Sequence, residues 1–255
     1  MPAVKLSPLF IGAAVGVGAP NKAPDVTAVQ QRLQYIRDQS IRNRIPLRRP
    51  DYAGLGSRGE ISRLPNGVCD EITIGWIKEF QSIFLKTPDG LISPGGTTNK
   101  FLSNWGIRPV ASDVTWMGRL ETAWLLLSPL LPEGSKCESA YRTADDQKRI
   151  IDRFFQSRYA DELKRKLGTR YDTILASTGD ERYRSMVTEL RAIGQAVAMP
   201  GRSPHQRGKA IDIGGPSTID AEQVRIARLV GNANSALFSG NILKERNGCV
   251  HVEIN

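Results

Sequence analysis

The sequence predicts an α+β chain, with an N-terminal three-helix module followed by a larger domain of helices flanking a small antiparallel sheet. Three observations lead there. Apolar residues recur at helical spacing through most of the chain, the C-terminal GCVHVEIN alternates like a strand, and Gly- and Pro-rich stretches punctuate the helical segments. The composition, 40% hydrophobic and 24% charged over 255 residues, is that of a globular protein. The expected division is residues 1–105, a linker over 106–116, and residues 117–255.

The first helix is expected from Asp25 as N-cap, with Val26, Val29, Leu33 and Ile36 on one face. Residues 43 to 69, rich in Arg, Pro and Gly, read as a loop. A second helix spans Glu71 to Leu85, with Ile72, Trp76, Phe80, Ile83 and Phe84 as its stripe. PDGLISPGGTT is a turn-rich loop, and Thr98 to Asn104 forms a last short helix. After the linker GIRPVASDVT, Trp116 to Leu131 is strongly apolar and helical until Pro132-Glu133-Gly134 stops it. A long charged helix over Asp145 to Leu167 turns Ile150, Ile151, Phe154 and Phe155 inward. Further helices follow over Asp180 to Ala198 and Ala221 to Val230.

The formal charge of +9 suggests an anionic partner. Nucleic acid rests on that charge alone and is not expected. The three cysteines, Cys69, Cys137 and Cys249, include no CxxC pair, which argues against a disulfide framework and a cysteine-rich zinc knuckle. The apolar stretch Leu9 to Val17 is far shorter than the roughly 20 residues of a membrane span. It reads as a buried first segment rather than a signal peptide. The expectation is a chain made in the cytoplasm, with no transmembrane span.

The chemistry concentrates around the only two histidines, His205 and His251. A catalytic zinc takes about three nitrogen or oxygen ligands from the protein and keeps one open position. His205 and Asp212 offer one of each across a turn that Gly208 permits, and K-A-I-D-I makes Asp212 part of a strand leaving that turn. His251 on a neighbouring strand completes a His/Asp/His set. Cys249, His251 and Glu253 share one face of that strand. Cys249 as a fourth ligand would close the open position. The reaction also requires a general base.

The pattern Ser203-x-His205-x-x-Gly208-x-Ala210-x-Asp212 resembles the signature of the zinc D-alanyl-D-alanine carboxypeptidase family, which includes VanX and VanY enzymes, phage endopeptidases and the Hedgehog domain. Glu138-Ser139-Ala140-Tyr141-Arg142-Thr143, followed by Gln147, resembles its SGYR(S/T)xxxQ segment. The resemblance spans about residues 117 to 255. It implies zinc held by His205, Asp212 and His251, and an Arg142 that binds the substrate's carbonyl or carboxylate. Many relatives carry an acid three residues before the final histidine, where this chain has Gly248. Hedgehog-like members carry a Glu six residues before it, and Glu245 stands there. Glu245 is therefore the expected base and Glu253 its competitor, while Ser203 and Cys249 are supporting candidates.

VGVGAPNKAPDVTAVQQRL and FQSIFLKTPDGLISPGGTTNKFL resemble the peptidoglycan-binding domain of wall hydrolases, over about residues 12 to 104. Together the two resemblances imply a peptidoglycan hydrolase that cuts an amide of the stem peptide or cross-link in the periplasm or cell wall. It would act as a phage endolysin or as a secreted antibacterial effector, the latter with an immunity protein and a secretion apparatus as partners. The alternative is a non-catalytic, zinc-stabilised wall-binding protein.

Overall fold

Val15–Gly16 (β1) pairs antiparallel with Leu91–Ile92 (β2), and around this ribbon lie Ala23–Arg42 (α1), Glu71–Gln81 (α2) and Thr97–Asn104 (α3). The computed structural model of the chain describes residues 7–46 and 65–255. Most of the loop expected over residues 43 to 69 lies outside the described residues. At Gly16 φ is 126°, and a Cβ would stand 1.9 Å from the Gly90 carbonyl oxygen, so only glycine permits the ribbon.

Val26, Val29, Leu33 and Ile36 are buried, as their spacing predicts. The expected N-cap is corrected. The helix begins at Ala23 with Pro24 in its first turn, where a missing N–H costs no hydrogen bond. Asp25 sits inside that turn and accepts from the Gly12 and Ala13 N–H groups, each at 2.9 Å. That tethers the preceding segment, whose Leu9, Ile11 and Val15 are buried. No helix among the described residues is long and apolar enough to cross a membrane.

The segment after Asn104 runs extended, with bridges between Val110 and Cys137 and between Thr115 and Tyr141. The helix expected over Trp116 to Leu131 is confined to Leu120–Leu127 (α4). Gly118 takes φ of 58°, which no α-helix allows, and Pro129 cannot continue one. Lys136–Ser139 (β3) leads into Ala144–Arg153 (α5). The long helix expected to Leu167 is broken by a π turn at Phe154–Arg158, closed by Tyr159 N–H to Phe154 O at 2.9 Å. Ala160–Leu167 (α6), Thr169–Ala176 (α7) and Gly179–Ala192 (α8) complete this helical segment. α7 was not expected, and α8 stops short of Ala198 because Gly194 turns the chain at φ of 85°.

Ala210–Gly214 (β4), Asp220–Ala233 (α9), Phe238–Lys244 (β5) and Val250–Ile254 (β6) finish the chain. The second sheet has the order β3-β4-β6-β5 and is antiparallel throughout. The α+β class is as expected. One apolar core runs from Leu9 and Val29 through Trp105 and Leu127 to Ile213 and Val252. A second, built on Ile151, Phe155, Leu163, Met186 and Leu190, belongs to the α5–α8 segment. Alternation along β4 and β6 places Ile211, Ile213, Val250, Val252 and Ile254 in the large core. Asp212, Gly214, His251 and Glu253 then face a cavity on the other side.

Candidate metal centre

In the antiparallel register Asp212 stands directly opposite His251, which brings Asp212 Oδ1 to 2.9 Å from His251 Nδ1. His205 arrives from a one-turn helix, Pro204–Arg207. Ser203 caps that turn, its Oγ accepting from the His205 N–H at 3.3 Å while the Gln206 side chain reaches back to the Ser203 N–H. Gly208 ends it at φ of 65°, and its N–H closes on the His205 carbonyl. This places His205 Nε2 3.1 Å from Asp212 Oδ1 and 3.3 Å from His251 Nδ1. All three residues are buried, at 2%, 5% and 7% exposure for His205, Asp212 and His251.

The outer hydrogen bonds orient the two imidazole rings. His205 Nδ1 lies 2.6 Å from the Ala140 carbonyl, which can only accept, so Nδ1 carries the proton and Nε2 presents a lone pair. His251 Nε2 faces Glu253 Oε1 at 3.4 Å, again an acceptor, and Nδ1 points inward at Asp212 Oδ1, where a bound metal would take its lone pair. Two imidazole nitrogens and a carboxylate oxygen thus converge, and these atoms all lie within 4.8 Å of one another. Tetrahedral zinc with bonds of about 2.0–2.1 Å spaces its ligand atoms about 3.3 Å apart, close to the separations seen here. The donor set and its orienting acceptors fit that ion.

Arg142 leaves β3 toward the same point. Its Nε donates to Ser139 Oγ at 2.7 Å, and Nη2 bonds Asp212 Oδ2 and lies 2.9 Å from His205 Nε2. Burial acts to raise the Asp212 pKa, but His205 and Arg142 outweigh it and hold the carboxyl well below the usual range. For His251 burial acts downward, and the hydrogen bond and charge of Asp212, with Glu245 and Glu253 nearby, carry the pKa above the ordinary imidazole value.

Glu245 sits at the start of the turn joining β5 to β6, its N–H bonded to the Cys249 carbonyl at 2.8 Å. Its Oε2 accepts from Asn247 Nδ2 at 2.7 Å. Burial first, then the charge of Asp212, raises its pKa against the opposing pull of His251. Cys249 lines the same cavity as a half-buried thiol that burial, with Asp212 and Glu245, pushes up to about 12. The cavity has a volume of about 1020 Å³ and is lined by all eight candidate residues. Sequence reasoning missed the Ala140 carbonyl and Asn247. Neither has a local signal, because each acts through a contact that only the fold creates.

Residues 134–239 match the family model described as VanY: D-alanyl-D-alanine carboxypeptidase. No curated protein and no solved structure matches the chain. The matched span holds Arg142, His205 and Asp212 and ends before Glu245 and His251. Through residues 134–239, then, the chain is similar to the VanY D-alanyl-D-alanine carboxypeptidases, which supports a peptidase of the peptidoglycan-acting carboxypeptidase type.

Proposed function

We propose that this chain is a zinc peptidase that hydrolyses an amide bond in the stem peptide or cross-link of peptidoglycan. The observation that carries the reading is the convergence of His205 Nε2, Asp212 Oδ1 and His251 Nδ1 at tetrahedral spacing, on a chain whose residues 134–239 match VanY. Zinc bound there would polarise the scissile carbonyl and lower the pKa of the attacking water. Glu245 takes a proton from that water and delivers it to the leaving nitrogen as the C–N bond breaks. Its raised pKa suits both tasks, since the protonated form must also give the proton up. Arg142 uses Nε and Nη2 on Ser139, Asp212 and His205, which leaves Nη1 for a substrate carbonyl or carboxylate.

In this reading the N-terminal module holds the enzyme on the insoluble polymer and raises the local concentration of bonds to cut. The net charge of +9 favours an anionic envelope surface. Action as a phage endolysin, or as a secreted effector countered by an immunity protein, is the setting we propose.

The test is mass spectrometry of fragments released from purified sacculi by zinc-loaded wild type beside His205→Ala. New termini released by wild type alone are expected, and their masses identify the bond. Release by neither protein, with zinc and wall binding intact in wild type, would replace this reading with a wall-binding role.

A further inference from the structure

Most acidic residues of the cavity (Asp113, Glu138, Asp212, Glu245 and Glu253) come from the sheet and from the segments beside its strands, and Asp146 comes from α5. The basic ones come mainly from the helical segment between β3 and β4, which contributes Arg149, Arg153, Arg158 and Arg191. Two of these arginines are committed elsewhere. Arg149 is paired with Asp146, and Arg191 Nε donates to the Val197 carbonyl at 2.8 Å. Arg153 and Arg158 are exposed, and among the described residues neither has a carboxylate within ion-pair distance.

Both are nevertheless held in place. The Arg153 guanidinium lies 5.8 Å from the centroid of the Phe154 ring. Arg158 Nη2 donates to the Asn247 carbonyl at 2.8 Å and its guanidinium lies 5.9 Å from the Tyr159 ring. Asn247 is the residue whose side chain bonds Glu245, so Arg158 is anchored to the turn that carries the proposed base. The backbone beneath them is the π turn, which puts its first and last residues, Phe154 and Arg158, on the cavity wall. π turns are rare and concentrate at functional sites. Two guanidiniums fixed by contacts to rings and a carbonyl, with their charge unmatched inside a cleft, suit a ligand that brings its own carboxylate.

We propose that Arg153 and Arg158 form a carboxylate-reading subsite, which selects peptides carrying a free acidic side chain away from the scissile bond. The proposal rests on the peptidase reading for the identity of the ligand as a peptide. It concerns a second anionic group, distinct from any carboxylate held by Arg142.

The test uses two labelled pentapeptides, both ending in D-Ala-D-Ala, one with an upstream glutamate and the other with that carboxylate converted to a carboxamide. Binding by fluorescence polarisation and release of D-alanine are measured with zinc-loaded wild type, Arg153→Gln/Arg158→Gln and Arg153→Lys/Arg158→Lys. Wild type should favour the acidic peptide about tenfold or more in affinity and in kcat/KM. The Gln variant should treat the two peptides alike, its loss falling on the acidic peptide, and the Lys variant should recover part of the preference. Equal handling of both peptides by wild type, or an equal loss on both in the Gln variant, overturns the subsite. Cleavage without selectivity would sink the subsite and leave the peptidase reading standing. Selective binding with no cleavage at any bond of the peptides or of purified sacculi, read by mass spectrometry, would do the reverse, and no binding of either peptide would overturn the subsite.

Discussion

Glu245 and Glu253 are both carboxylates near His251, and their partners give them different work. Glu253 Oε1 faces the outer nitrogen of His251 and orients the ring. Among the described residues Glu245 bonds only Asn247 with its side chain, and it lines the open cavity with its pKa raised by burial. Glu245→Gln is therefore expected to lower kcat by about 10²–10⁴-fold with zinc content unchanged. Glu253→Gln is expected to weaken zinc binding by about 10–100-fold and to leave kcat of the zinc-saturated protein closer to wild type. Steady-state kinetics beside metal analysis separates the two, and a reversed pattern would exchange their roles. A base must be deprotonated to act. The acidic limb of kcat/KM should accordingly lie above the ordinary glutamate value of about 4.3, and it should vanish in Glu245→Gln.

At the scale of elements, two short devices aim the site. α5 opens with a capping box: Thr143 Oγ1 accepts from the Asp146 N–H, and Asp146 Oδ2 accepts from the Thr143 N–H and hydroxyl. The box fixes the chain one residue after Arg142. Those hydrogen bonds, with Arg149, lower the Asp146 pKa to about 2. A depressed folded-state pKa contributes stability that is present above the unfolded value of about 3.9 and is lost as pH falls through about 2. Asp146 is more than a third exposed, so solvent screening keeps the effect small. Asp146→Asn should cost about 0.5–1 kcal/mol at pH 7. In urea unfolding, the gap to wild type should close between about pH 4 and pH 2. A gap that is constant with pH would mean that the carboxylate charge plays no part.

The second device is the turn at Gly208. Its φ of 65° disfavours any side chain, and a Cβ there would meet Met117 Cγ at 3.1 Å. Gly208→Ala should destabilise the fold by about 1 kcal/mol or more. It should also weaken zinc binding, because the Gly208 N–H closes on the His205 carbonyl and the strain falls on that ligand. Thermal unfolding with and without zinc checks both effects. An unchanged zinc shift would place the strain on Met117 instead.

For the whole molecule, the N-terminal helices and the β3–β6 sheet contribute to one continuous apolar core. Asn234, buried just past the end of α9, donates to the Ile83 carbonyl at 2.8 Å, and Arg225 lies over the Phe101 ring at 5.7 Å. A fragment of residues 106–255 should therefore melt below the full chain, by about 2–4 °C for each kcal/mol of lost contact. Calorimetry of the two proteins checks this. Equal melting temperatures would show that the shared core contributes nothing to the stability of the second part. Under the proposed function, the same continuity would hold the wall-binding surface of the N-terminal helices in a fixed relation to the cavity.

Much of this was legible before folding was considered. Helical spacing marked Val26, Val29, Leu33, Trp76 and Phe80 as buried, and alternation marked the last strand, because both periodicities follow from backbone geometry alone. The motif around His205 and Asp212 and the position of His251 pointed to one cluster, and the antiparallel pairing of β4 with β6 brings those residues together. Other features depended on contacts that local sequence does not encode. FFQSR reads as ordinary helix, yet the chain there takes a π turn, with Phe155 stacked on Tyr171 at 5.0 Å and Phe154 edge-on to Tyr159. The partners that fix the chemistry lie far along the chain or across a turn: Ala140 for His205, Asn247 for Glu245 and Arg158. By itself the sequence determined the residue types and periodicities that make a core and a His/Asp/His set. The tertiary structure decided which ring nitrogens face inward, which glutamate meets His251 and which meets Asn247, and where the arginines stand. Proton placement and charge pairing depend on neighbours within about 3 Å, and only the folded chain supplies them.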